Sequence, residues 1–273
     1  MSDGSALRKN GFFGSIYFVE GMVLTMFSSY MVIYLRKFNL SFTQIGVVSA
    51  IALLPTILKI FIGIVSDKWS LFGGGHRKPY ILAGLVLQGL GYAVYPLISP
   101  VDSYGLFVFV SLCIGLGMAT YDTTTDGLAI DITPAPDRGI VQAWCVGGRA
   151  TSAVVAGLAF GLLAAKDNWR YAFWSIALFS FLELFLISSV KEKDRSERAE
   201  FAPAAFKEMV KPAYLLVVLM GTLFPLALYS TYSMVSVYLK ESFGVGMNQI
   251  ALLSALFGIG QVVGGVAGGP LLK

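Results

Sequence analysis

Long apolar segments alternate with short polar ones along the whole chain. A helix needs about 20 predominantly apolar residues to cross the hydrocarbon core of a bilayer. Eight segments meet this requirement, at residues 12–35, 43–66, 80–98, 105–129, 139–163, 170–190, 212–239 and 246–272. The first is longer than the apolar region of a signal peptide, and no small-residue cleavage site closes it, so we expect it to be retained. The pattern therefore predicts an all-α membrane protein with eight transmembrane helices.

The composition supports this class and argues against others. Of 273 residues, 56% are hydrophobic and 13% are charged, whereas soluble chains carry about 25% charged residues. The net charge of +4 comes from Lys and Arg in the loops between apolar segments, which is typical of membrane topology and not of nucleic-acid binding. Cys113 and Cys145 lie inside apolar segments and are predicted to be buried thiols.

The distribution of basic residues predicts the orientation. Cytoplasmic loops of membrane proteins carry an excess of Lys and Arg, and here the excess lies on the side of the N-terminus, including Arg8, Lys9, Arg138 and the stretch from residue 191 to 211. We therefore expect both termini to be cytoplasmic, with the plasma (inner) membrane as the location. The polar stretch 191–211 predicts a linker between an N-terminal six-helix unit, 1–190, and two further helices in 212–273.

The turn between the second and third apolar segments carries the sharpest motif. It contains Gly63, Asp67 and Lys68, followed by Arg77 and Lys78. A glycine permits close helix approach, and a carboxylate at a helix end can hold neighbouring charges and helix N-termini. The motif predicts a conformational latch, and an ordinary basic loop is the alternative.

The motif resembles the G-x-x-x-D-(R/K)-x-G-R-(R/K) loop of the major facilitator superfamily, although residues 69–74 lengthen it. The closest resemblance is to the AmpG-like and acetyl-CoA-transporter-like branch. It rests on four further pieces: Tyr17-Phe18-Val-Glu20-Gly21, Leu54-Pro55-Thr-Ile-Leu58-Lys59, Asp122-x-x-x-Asp126 with Asp131 and Arg138-Gly139, and Gly148-Arg149. The resemblance implies a secondary carrier for muropeptides, acyl-CoA or other bulky polar metabolites. We assign Asp131 and Arg138, at the inner end of the fourth segment and the start of the fifth, to the predicted latch as well. Glu20 stands where that branch usually has Gln.

A weak internal repeat agrees with this architecture, because superfamily members consist of two parallel six-helix halves. Aligning residue 41 onward with residue 246 onward matches several identical pairs, among them Gln44 with Gln249, Ser49 with Ser254 and Lys68 with Lys273. The chain then holds a six-helix N-terminal bundle and the first two helices of a second bundle. We expect it to be a fragment, or a truncated reading frame, that lacks four helices.

Ionisable side chains within the apolar segments are the candidate functional residues, because each costs about 2.5–3.5 kcal/mol at a helix centre. Glu20, Asp122 and Arg149 lie at similar depths, about 12–15 Å from the inner helix ends, and could meet. Asp126 shares the helical face of Asp122. Lys59 and Glu183 lie nearer the inner ends, where a Lys can snorkel, so structural roles are expected for them. A buried ion pair that only fixes packing is the alternative for the deep residues.

These observations predict a transporter of the major facilitator type that carries a polar, anionic metabolite by alternating access. Arg149 would bind the anion, and Glu20 or Asp122 would exchange a proton. The alternative is a non-transporting membrane protein, such as an assembly factor or a sensor, that reuses the fold. We expect no enzymatic activity, cofactor, metal or nucleic-acid partner, and a monomer in the bilayer. The lone His76 lies in the basic loop and is not expected to bind metal.

Overall fold

The computed structural model of the chain describes residues 3–71, 75–192 and 211–271. Within those residues every regular element is helical. Ten α-helices follow one another in chain order: α1 Asp3–Thr25, α2 Met31–Arg36, α3 Phe42–Ile57, α4 Lys59–Lys68, α5 Lys78–Val94, α6 Tyr104–Ile132, α7 Arg138–Ala165, α8 Trp169–Leu186, α9 Pro212–Phe243 and α10 Met247–Leu271. The side of the bundle at which α1 begins is called the inner side below, and the opposite side the outer side.

The prediction of an all-α membrane protein is confirmed. Within the described residues, six helical stretches are long and apolar enough to cross a bilayer: Ala6–Arg36, Phe42–Lys68, Lys78–Leu97, Tyr104–Ile132, Ala135–Ala165 and Trp169–Leu186. Helices also form at the last two predicted positions, where the apolar stretches described are shorter, Pro212–Leu223 and Met247–Gly260. Most of the predicted linker, 193–210, lies outside the described residues.

Two of the predicted helices are interrupted, which hydrophobicity alone did not reveal. The first contains a π-helical turn, Met26–Tyr30, between α1 and α2. The second breaks at Leu58, between α3 and α4. Pro55 lies one turn before this break, and its ring displaces the preceding turn and removes a backbone donor. The backbone N–H of Leu58 then bonds to the carbonyl of Pro55 at 3.0 Å, so α4 starts afresh at Lys59.

Helices α1 to α8 pack as one bundle. Helix α1 lies against α7, α5 against α6 and α8, and α3 against α6. Fully buried aromatic side chains fill its outer half, where Tyr95 stacks on Phe107 at 4.1 Å between ring centroids and meets Phe173 edge-on. The bundle thereby fixes the relative positions of the polar side chains on α1, α4, α6 and α7.

The last two helices contact this bundle on its outer side. Helix α10 crosses α7, where Gly157 and Gly161 face Ser254 and Ala251. A methyl group at Gly161 would overlap Ala251, so this glycine permits the close approach. Gly157 and Gly161 therefore lie on the surface of α7 that contacts α10. At Gly260 of α10 a side chain would meet nothing within 4 Å.

Gly258, among the glycines of α10 whose surroundings the structure describes, contacts α7, where it lies against Val154. An ion pair between Arg36 and Glu241, 2.7 Å long, joins the outer ends of α2 and α9. The contacts that the structure describes between the two groups of helices therefore include their outer halves.

Candidate functional site

An ion pair joins α1 and α7 in the middle of the bundle. The guanidinium of Arg149 donates to Glu20 Oε2 from Nη2 at 2.6 Å and from Nε at 3.2 Å. The same guanidinium lies 5.0 Å from the ring centroid of Tyr17, a distance typical of cation–π contact. Gly21 permits the approach of the two helices, since a Cβ there would lie 2.7 Å from Ser152. The local sequence of α1 therefore places its carboxylate against α7.

A second ion pair joins α4 and α6. The ammonium group of Lys59 bonds to Asp122 Oδ2. Lys59 is the first residue of α4, so the break at Leu58 determines where its side chain begins. We had expected a structural, snorkelling role for Lys59, but the structure pairs it with one of the predicted site residues. The sequence signal that could have identified it is Pro55, one turn earlier, which marks the break.

The two pairs belong to one charged cluster. The hydroxyl of Tyr17 donates to Asp126 Oδ1, and Asp126 follows Asp122 by one helical turn on the same face of α6. The charge of Asp122 repels those of Glu20 and Asp126. The structure thus brings together the predicted residues of α1, α6 and α7. We call the whole set the central cluster: Tyr17, Glu20, Lys59, Asp122, Asp126 and Arg149.

The paired charges of the central cluster differ in exposure. The side chains of Glu20 and Asp122 are 6% and 4% exposed, whereas those of Arg149 and Lys59 are 39% and 38% exposed. A solute that approaches the cluster therefore meets the cations first. The buried carboxylates lie behind them and hold them in place. Such an arrangement can bind an anion through charge-assisted hydrogen bonds.

A separate network surrounds the motif at the inner side, and we call it the inner loop network: Ser66, Asp67, Arg77, Asp131 and Glu192. Arg77 is at its centre. Its guanidinium pairs with Asp67, reaches Asp131 Oδ2 at 3.2 Å and donates to Ser66 Oγ at 2.8 Å. The Arg77 side chain is only 7% exposed.

Glu192 was not predicted to take part, because it lies more than a hundred residues from the motif along the chain. Its carboxylate accepts the backbone N–H groups of His76 at 2.9 Å, Arg77 at 2.7 Å and Lys78 at 3.2 Å. These groups precede and begin α5, and a carboxylate at a helix N-terminus is favoured by both capping and the helix dipole. The start of the linker is thereby tied to the loop between α4 and α5.

The remaining predicted latch residues have other positions. A Cβ added to Gly63 would lie 3.7 Å from Thr123 Cγ2, an ordinary contact, so this conformation does not itself require a glycine there. Lys68 occupies the last turn of α4. Arg138 donates to the carbonyl oxygens of Ile130 and Thr133, each at 3.4 Å, so it caps the end of α6.

The part of the chain that the structure describes contains no group of three or more His, Cys, Asp or Glu side chains suited to a metal ion. Cys113 and Cys145 are free thiols.

Comparison with known proteins gives consistent matches. Residues 13–273 match the family model described as Major Facilitator Superfamily. The putative transporter AmpG 4 of Rickettsia conorii is 25% identical over 270 residues, which cover 93% of this chain and 65% of that protein. The folate-biopterin transporter of a Synechocystis species is 28% identical over 195 residues, which cover 68% of this chain and 38% of that protein. The resemblance to the AmpG-like branch is thereby confirmed.

Solved structures share the fold. A bacterial homologue of the human lysosomal transporter Spinster, in an inward-facing and unoccupied conformation, superposes with a TM-score of 0.67 at 16% identity, over 98% of this chain and 63% of that one. The D-xylose–proton symporter gives a TM-score of 0.59 at 17% identity, over 93% and 65%. The chain spans just under two thirds of the length of AmpG 4 and of these two structures.

Proposed function

The chain belongs to the Major Facilitator Superfamily, and from that premise we propose that it works as a secondary active transporter for a polar, anionic metabolite. Transport would proceed by alternating access, with the substrate held between two helical bundles. The central cluster would be the binding and coupling site. Relatives named as transporters of the AmpG and folate-biopterin types support the class.

One observation carries the proposal: in both ion pairs the cation is exposed and the carboxylate is buried. A charge within the membrane is costly unless it is paired or hydrated, so intramembrane charges mark substrate and ion pathways. Arg149 presents a planar fork that matches a carboxylate or phosphate group. Lys59 adds a second positive charge from the neighbouring helix. An anion that bridges the two would complete a site that the buried carboxylates already orient.

Coupling to protons follows from the same geometry. When an anion binds the guanidinium of Arg149 in place of Glu20, Glu20 loses its counter-charge while it remains buried. A proton on Glu20 would then neutralise it at a lower cost than an uncompensated carboxylate. The cluster would hold either the internal ion pair or an anion together with a proton. That exchange favours symport over uncoupled transport.

The contacts of α9 and α10 suggest which side is open. They meet the first bundle through their outer halves, at Gly161 and at the ion pair of Arg36 with Glu241. We propose that the conformation seen is closed on the outer side and gives access to the central cluster from the inner side, which the loop charges predict to be cytoplasmic. The inner loop network would reorganise when the inner side closes.

The test is uptake by the protein reconstituted in liposomes, with a panel of labelled anions: a muropeptide, an acyl-CoA thioester and a folate. We expect a proton gradient to drive accumulation of at least one of them. Glu20→Gln should keep exchange of that anion across the membrane but lose accumulation, because the amide cannot gain or lose the proton. Asp102→Asn, which removes an exposed carboxylate outside the cluster and outside the ion pairs found among the described residues, should behave as the unmodified protein.

Two outcomes would contradict the proposal. Failure of every anion to bind or exchange would favour a non-transporting role for the fold. Unchanged accumulation by Glu20→Gln would show that proton coupling does not pass through the central cluster.

A further inference from the structure

Glu183 is a buried carboxylate that neither the central cluster nor the inner loop network uses. It lies near the inner end of α8 and is 3% exposed. None of the ion pairs found among the described residues includes it. Its hydrogen-bond partner is Ser15 of α1, whose Oγ lies 3.1 Å from Glu183 Oε2. A side chain of this type within a membrane-spanning helix is a candidate functional site.

The hydrogen bonds of Ser15 indicate the protonation state of Glu183. Ser15 Oγ also lies 2.9 Å from the carbonyl oxygen of Phe12, which can only accept. A hydroxyl has one hydrogen, so Ser15 cannot donate a hydrogen bond to Phe12 and to Glu183 at the same time. If the hydrogen points to the closer Phe12 oxygen, the contact with Glu183 is a hydrogen bond only when Glu183 is protonated and donates.

The opposite arrangement is much less favourable. An ionised Glu183 would be a buried charge with one hydrogen bond, which costs several kcal/mol even after the surroundings relax. Three charged or polar groups on α1 and α5, which pack against α8, have partners other than Glu183. On α1, Lys9 donates to Thr133, and Glu20 is paired with Arg149 of α7. On α5, Gln88 donates to Ser180.

We propose that Glu183 is a second proton-binding site, separate from the central cluster. In this conformation Glu183 holds a proton and donates it in a hydrogen bond to Ser15 Oγ, and Ser15 in turn donates to the carbonyl oxygen of Phe12. These two hydrogen bonds connect α8 to α1. Ser15 also lines a groove of about 520 Å³ between α1 and α7, which in this proposal is the route by which the proton is exchanged. The site does not depend on the proposed transport of an anion.

Infrared difference spectroscopy of the purified protein at neutral pH tests the proposal. A protonated carboxylic acid has a C=O stretching band that a carboxylate lacks. We expect Glu183→Gln to lose one such band, and Ser15→Ala to move the same band to higher frequency because the acid loses its acceptor. Glu241→Gln, in a half-exposed ion pair, should leave the band unchanged. Identical spectra for the unmodified protein and Glu183→Gln would overturn the proposal.

A second measurement covers the case in which a variant is poorly folded. The amide of Gln can still donate to Ser15, so Glu183→Gln should fold. Raising the pH should lower the thermal midpoint of the unmodified protein relative to Glu183→Gln, because a site that is protonated only when folded loses stability as protons become scarce. A midpoint difference that does not change with pH would contradict a proton at Glu183.

Discussion

The central cluster and the inner loop network have opposite patterns of exposure. In the central cluster the cations Arg149 and Lys59 are more than a third exposed, and their carboxylate partners are almost fully buried. In the inner loop network the cation Arg77 is 7% exposed, while its partners Asp67 and Asp131 are 36% and 19% exposed. Both are held by ion pairs, but the exposed member of the pair is the cation in the first and the carboxylate in the second.

The difference matters because a buried carboxylate and a buried guanidinium respond differently when a partner leaves. A carboxylate can take up a proton and become neutral, whereas Arg remains charged at any pH that a protein experiences. The central cluster can therefore exchange partners with an anion and a proton. The inner loop network cannot give up its carboxylates without leaving a buried charge. We infer that the first is suited to binding and the second to holding a conformation.

The largest effect is expected from removing both carboxylates around Arg77. The double change Asp67→Asn with Asp131→Asn leaves a buried guanidinium without a counter-charge, which typically costs about 3–5 kcal/mol of stability. The thermal midpoint of the purified protein measures this loss. Asp102→Asn with Asp167→Asn is the matched control, since it also removes two carboxylates but at exposed positions on the outer side. An equal loss in both double variants would show that burial of Arg77 is not the cause.

A smaller loss of stability but a large loss of binding is expected from Arg149→Ala. Glu20 is left without its partner and can become neutral by taking up a proton, so we expect a stability loss of about 1–3 kcal/mol. Binding of the transported anion should weaken about 30-fold or more, because a bidentate, partly buried contact is lost. Arg149→Lys should weaken binding less, since it keeps the charge and loses only the fork. Equilibrium binding and thermal midpoints measure both effects.

A compensating change sharpens this prediction. The matching depths grouped Glu20, Asp122 and Arg149, and the direct partner of Arg149 in the structure is Glu20. Arg149→Ala with Glu20→Ala should therefore regain stability relative to Arg149→Ala alone without regaining anion binding. The exposed Arg170→Ala is the control for loss of an arginine. If Arg149→Ala with Asp122→Ala regains stability instead, Arg149 pairs with Asp122 in the purified protein.

The smallest effect is expected from Asp67→Asn alone. Arg77 then keeps Asp131 as its partner, and Asp67 is the more exposed of the two, so we expect a loss of about 1 kcal/mol or less. The inner side should nevertheless open more readily as the protein alternates between its conformations. Labelling of single cysteines placed along the inner half of α7 should rise in rate. Unchanged labelling would mean that Asp67 contributes only to the topology of the loop.

Much of the central cluster could be predicted from the sequence, but its pairing could not. Glu20 and Arg149 were selected because charges are costly at mid-membrane depth, and the same argument selected Asp122 and Asp126. Lys59 was expected to have a structural role, and the structure adds its pairing with Asp122, from a position at the start of α4 that Pro55 and the break at Leu58 determine. Glu192 gave no local signal, since its partners are the backbone N–H groups at the start of α5.

The sequence by itself determined where the helices lie and that they cross a membrane, because a bilayer requires about 20 apolar residues in each span and this requirement is local. It also identified the membrane-embedded charges, since each is costly wherever its helix packs. The tertiary structure alone decided which charges pair and which of them are exposed. Those properties depend on the rotation and separation of neighbouring helices. Close contacts such as that of Gly21 with Ser152 determine both. The periodicity of a single segment does not encode them.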